Sequence, residues 1–151
     1  MGNVLVDYAK GRFIEKATLP LGTDSLIAVL LQATGLPTDT VLKRNQFLSG
    51  VFTAGGTEST FTNYSRQSFT GASITITVNT STDVVTLDTS NVVINSAGGA
   101  LNNSVAKLLL CYKPTSATAD SAIPVLTTHD CVITTTGGNL TVTIPSIGTA
   151  T

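Results

Sequence analysis

The ten residues SVAKLLLCYK at 104–113 constrain the fold more than any other stretch. Successive side chains of a strand point to opposite faces. A run that is apolar on both parities therefore has to lie in a sheet covered on both sides. Leu108, Leu109 and Leu110 are expected to be buried together, with Pro114 ending the strand. The nearly continuous apolar run DSLIAVLLQ at 24–32, bounded by Gly22 and Gly35, reads as a second such strand, since it is short for a helix.

Around these two runs the pattern divides the chain. On the N-terminal side Asp7 caps an expected short helix over YAKGRFIEKA, with Ala9, Phe13 and Ala17 on one stripe and Pro20 ending it. LPTDT is turn chemistry, with Thr38 or Asp39 as N-cap of a second helix over VLKRNQFLSG. Val41, Leu48 and Val51 are expected along its buried stripe. After TAGGTE the period switches to two. Ile74, Ile76 and Val78 alternate with Thr75, Thr77 and Asn79, and NTSTD turns the chain into a returning strand through Val85 and Leu87. NVVIN, IPVLT, CVITTT and LTVTI read as further short strands, the last two joined as a hairpin across Gly137, Gly138 and Asn139. TSATADSA is expected to be a polar surface loop. The fold class that follows is mainly β. It is a single-domain antiparallel β-sandwich or barrel-like fold over 1–151, with one or two short helices in the N-terminal third.

Composition narrows the function classes. Only 11% of the 151 residues are charged, where a typical soluble domain has about 25%, and roughly a quarter are Thr or Ser. The polar surface is thus made of hydroxyls. Low charge with positive mean hydropathy points to a surface covered by neighbours in an assembly. A net charge of −1 argues against a nucleic-acid partner, which calls for a basic face. No segment has the apolar length of a membrane helix, and no basic-then-apolar leader opens the chain, so assembly in a cytoplasm is expected. Cys111 and Cys131 then read as buried free thiols.

Constellations that would imply chemistry fall short. His129, Asp130 and Cys131 are adjacent, and adjacent strand residues point apart, so they do not form a nucleophile–base–orienter chain by themselves. One His and two distant Cys lack zinc-site spacing, and Asp83 and Asp88 show no calcium-loop pattern. The paired glycines match neither phosphate-binding fingerprint. No catalytic residue, cofactor or metal is expected. In TFTNYSRQSFTGASITITV at 60–78, Phe61 and Phe69 share one parity while Tyr64 and Arg66 share the other. Base stacking beside phosphate neutralisation needs aromatics and cations on one face. The simpler reading puts the two phenylalanines in the core, with Tyr64 and Arg66 outward to pair with each other or with a partner.

In YAKGRFIEKATLPLGTDSLIAVLL, ESTFTNYSRQSFTG, LLLCYKP, IPVLTTHD and TTTGGNLTVTI, taken in order, the chain resembles small virion proteins of tailed bacteriophages. The resemblance implies a non-enzymatic structural component of the particle attached to the capsid exterior, and size and composition point to a capsid decoration (cement) protein on the outside of the head. Its partners would be the major capsid protein or another virion protein and further copies of itself, and its location the virion. The alternative is a head-fibre or tail accessory module that binds a host-surface glycan. Contacts are expected to be dominated by uncharged surface, with part of the attachment coming from the N-terminal third, where Lys10, Arg12, Lys43 and Arg44 gather positive charge, and with Tyr64 and Arg66 as a further contact.

Overall fold

A computed structural model describes residues 4–6, 22–82 and 84–150. The expected helix at 8–17, with Lys10 and Arg12, lies outside the described residues. The described chain runs β1 (Val4–Leu5), β2 (Ser25–Gln32), α1 (Asp39–Arg44), α2 (Leu48–Thr53), β3 (Gln67–Phe69), β4 (Ile74–Asn79), β5 (Val84–Thr89), β6 (Val92–Ile94), β7 (Ser104–Lys113), β8 (Val125–Thr134), β9 (Leu140–Val142) and β10 (Ile147–Ala150). It is mainly β, antiparallel throughout, with two short helices in the N-terminal third and open sheets rather than a closed barrel.

The two apolar runs sit side by side at the middle. The main sheet has the order β1-β8-β7-β2-β3, and β2 pairs with β7 along its whole length. On β2 the alternation is clean. Leu26, Ala28 and Leu30 enter one core, and Ile27, Val29 and Leu31 enter the other. Leu108 and Leu110 of β7 join the first core and Leu109 the second, so the triple leucine is fully buried as its pattern requires. The first core is closed by residues of the two small sheets, β10-β5-β4 and β6-β9, including Leu87, Val92, Ile94, Leu140 and Val142. The second is closed by Leu42 of α1, Leu48 and Val51 of α2, and Ile123. Helices therefore cover one face of the main sheet and small sheets the other.

Several expectations are corrected. The helix over 41–50 is two helices. Phe47 leaves the helix to bridge Pro124, the Leu48 N–H bonds the Ile123 carbonyl, and this tertiary pairing breaks the run at 45–47. The buried residue of α1 is consequently Leu42, while Val41 is exposed. Thr38 stands at the N-cap with no side-chain capping bond. IPVLT and CVITTT are one strand, β8, which continues through His129 and Asp130 because β7 pairs it from Ser104 to Cys111. The expected hairpin at Gly137–Asn139 does not form, since β9 pairs with β6 in another sheet. Instead the Gly137 N–H bonds the Ala97 carbonyl and the Ala97 N–H bonds the Gly138 carbonyl. Gly99 and Gly137, both at positive φ, lie back to back there, and a Cβ on Gly137 would sit 3.4 Å from the Gly99 Cα.

Candidate functional site: the Arg66 cluster and the buried Lys107 pair

The stretch 61–66 is a turn at 62–63 and irregular chain, not strand, with Asn63 at φ 67° and only Gln67–Phe69 pairing with β2. Phe61 and Phe69 are both buried in the first core as expected, although no continuous strand joins them. Tyr64 is half-buried against that core, its ring edge-on to Phe61 at 5.2 Å between centroids. Its hydroxyl accepts from the Leu30 N–H at 3.2 Å and donates to Glu58 Oε1 at 2.8 Å. The neighbouring segment explains why a side chain is needed there. The Ser59 N–H bonds the Leu30 carbonyl and the Gln32 N–H bonds the Thr57 carbonyl, so 57–59 continues the sheet where β3 stops. The Leu30 N–H falls in the gap, and Tyr64 supplies the acceptor a buried amide requires.

Arg66 holds this corner from outside. Its Nε and Nη2 donate to the two Glu58 oxygens at 2.8 and 2.7 Å. Nη1 and Nη2 donate to Asp120 at 2.6 and 3.0 Å. Both pairs are bidentate, the strong geometry for a guanidinium. The arrangement raises the already high Arg66 pKa through its bonds to Glu58 and Asp120 and holds the Asp120 carboxyl below its ordinary range. Burial, and then the Glu58 charge, push the Tyr64 phenol well above its usual range, so it stays protonated and keeps donating. The two residues expected to face outward thus meet through Glu58, in an intramolecular clasp between the 57–66 segment and the turn at 120–122. Glu58 and Asp120 carried no local signal, since they lie 8 and 54 positions from Arg66.

Lys43 and Arg44 lie in the last turn of α1, with Arg44 exposed. They stand on the helical side of the main sheet, apart from the Arg66 clasp in sequence and element. A third cation was missed altogether. Lys107, in the middle of the central strand, is fully buried, and its Nζ lies 2.8 Å from Asp39 Oδ1 and 2.6 Å from Asp130 Oδ1. Against β2 the register shifts by one residue between Lys107 and Val105, which changes the strand's parity. Val105 enters the first core, and Lys107 follows Leu109 and Cys111 toward the helical side, where Asp39 opens α1. A lysine inside an otherwise apolar strand was the available signal, because a buried ammonium requires carboxylate partners.

His129 is buried beside this group. Its Nε2 shares a 2.8 Å hydrogen bond with Thr127 Oγ1, and burial together with Lys107 lowers its pKa to about 4, so the imidazole is neutral near pH 7. Cys131 lies in the first core and Cys111 in the second, on opposite faces of the main sheet, both as free thiols. Burial pushes Cys131 up to about 11 and Cys111 higher still. Neither is a thiolate near neutral pH. Among the described residues no group of three or more His, Cys, Asp or Glu is placed to hold a metal ion, and no helix is long and apolar enough to cross a membrane. Comparison with protein-family models, curated proteins and solved structures found no match.

Proposed function

We propose that this protein works by binding other protein subunits, as a decoration (cement) protein on the outside of a bacteriophage head. The observation that supports this reading is the character of the surface on the small-sheet side. Between Gln67 and Ala106 the only charged residues are Asp83 and Asp88. The strands there present exposed Thr75, Thr77 and Thr141 beside exposed Val78 and Val93, and Leu101 is exposed in the loop that follows. A hydroxyl-rich surface with exposed aliphatic residues and almost no charge suits burial against other subunits better than life as a free monomer. The chemistry of an enzyme is not needed for such a role. Arg66 with Glu58 and Asp120, and Lys107 with Asp39 and Asp130, are engaged in intramolecular pairs, which favours reading them as supports of the fold.

A cement protein acts by mass action. Each copy binds the assembled shell and not the dissociated subunits, so its binding free energy adds to shell stability. Repeated contacts make weak single sites sufficient. Attachment through uncharged surface predicts weak dependence on salt. The test is to prepare particles lacking the protein and heat them beside wild type. The reading expects DNA release at a lower temperature and hundreds of copies per wild-type particle by gel densitometry. Unchanged release with reduced host adsorption and only a few tens of copies would instead establish the head-fibre or tail receptor-binding alternative.

A further inference from the structure

We propose that the outer edge of β4 is a self-pairing interface, through which two copies of this chain join their β10-β5-β4 sheets into one continuous antiparallel sheet. Within the described residues β4 pairs only with β5 and forms the edge of its sheet. The backbone phase of that edge is set by its inner pairing. The Ser90 N–H bonds the Ser73 carbonyl, and the register continues as Thr75 opposite Asp88 and Thr77 opposite Thr86. Alternate residues of an antiparallel strand bond to alternate sides. Ile74, Ile76 and Val78 therefore direct their N–H and C=O groups away from β5, toward whatever adds to the edge.

Natural edge strands are normally protected by Lys, Pro, a bulge or brevity. β4 has none of these. ITITVN is uncharged, rich in β-branched residues, six residues long, and regularly registered with β5. Val78 shares the parity of Ile74 and Ile76, which pack on the first core, but it extends past that cover and is 64% exposed. Uncovered, such a strand is a template for another strand.

The occupant follows from the sequence of the edge itself. In an antiparallel two-fold pairing centred on Ile76, Ile76 meets its own copy, Ile74 meets Val78, and Thr75 meets Thr77. Aliphatic residues oppose aliphatic residues and threonines oppose threonines, both favourable cross-strand combinations. The three aliphatic pairs are also those whose backbone groups face outward, so each exchanges two hydrogen bonds in the same register. A closed two-fold contact of this kind is isologous and stops at the dimer. It is a property of the isolated chain and does not depend on where the protein works.

The experiment uses sedimentation equilibrium on the full chain over a wide concentration range, with circular dichroism to check folding. Wild type is expected to show a reversible monomer–dimer equilibrium. Thr75 and Thr77 are exposed and oppose each other across the dimer. Thr75→Lys with Thr77→Lys places like charges opposite each other twice and is expected to weaken dimerisation roughly tenfold or more. Thr75→Lys with Thr77→Glu places opposite charges in the same positions and is expected to dimerise at least as tightly as wild type. Thr75 faces Asp88 within its own sheet, so the lysine at 75 is locally compatible with the fold. A wild type that remains monomeric throughout overturns the proposal and leaves the edge to a strand of another protein. A double-lysine variant that dimerises like wild type, or a Lys/Glu variant that dissociates like the double-lysine one, overturns it equally.

Discussion

At the residue scale, the polar side chains with the clearest roles are those that finish what the backbone leaves open. Tyr64 supplies the acceptor for one amide of a sheet edge, and Arg66 ties that edge to the 120–122 turn. Tyr64→Phe should cost about 1–2 kcal/mol in urea denaturation, because it leaves the Leu30 N–H without its acceptor. Arg66→Ala should cost about 2 kcal/mol or more, since Glu58 and Asp120 lose their shared bidentate partner. His129 gives a pH signature. Its folded pKa of about 4 lies below the ordinary 6.5, so between those values the unfolded chain binds a proton that the folded chain does not. Stability should therefore be unaffected by this residue above pH 6.5 and fall as pH drops toward 4, by about 2–3 kcal/mol. In His129→Gln that limb of the stability–pH curve should flatten. Phe61 and Phe69 were legible as core residues because they are large and apolar, although the strand that their parity assumed is absent at 61–66, whereas Glu58 and Asp120 were not, because ion-pair partners are chosen in space.

At the scale of elements, the central strands bear most of the fold and their burial was legible residue by residue. Leu109→Asp should abolish folding, since it puts an unpaired charge in the core that the helices cover. A soluble variant with a wild-type circular dichroism spectrum would refute the assignment. The Lys107 group, which ties β7 to β8 and α1, should respond asymmetrically. Replacing Asp39 and Asp130 together with Ala takes both of these carboxylates from a fully buried ammonium and should cost about 3–5 kcal/mol. Lys107→Met keeps the volume, and both carboxylates retain partial exposure to water, so it should cost clearly less by thermal denaturation. The opposite order would show that the ion pairs contribute net stability. The helices were less legible than the strands. A 3.6-residue stripe through Val41, Leu48 and Val51 ignores the bridge from Phe47 to Pro124, and that bridge resets the phase between α1 and α2.

At the scale of the whole molecule, two cores share one central sheet. Each cysteine reports on one of them. Denaturant titration with thiol labelling should find Cys111 and Cys131 protected in the native protein and exposed at the same midpoint if the layers unfold together. Native mass spectrometry should find no 111–131 disulfide, because the thiols lie on opposite faces of the sheet. A midpoint for Cys131 well below that of Cys111 would mean that the small sheets open before the helical side.

The sequence by itself determined the strands at 25–32, 74–79, 84–89, 92–94, 104–113 and 140–142, which two are covered on both faces, and that the chain is rich in hydroxyls and poor in charge. These are properties of local periodicity and composition, and they need no knowledge of neighbours. Tertiary structure alone decided that β9 joins β6 rather than β8, that 41–53 breaks at Phe47, and that Arg66 and Lys107 find Glu58, Asp39, Asp120 and Asp130. Strand pairing is set by long-range register, and which carboxylates reach Lys107 is set by where α1 and β8 lie on the face it shares with Leu109 and Cys111. A period-two reading carries no information about either.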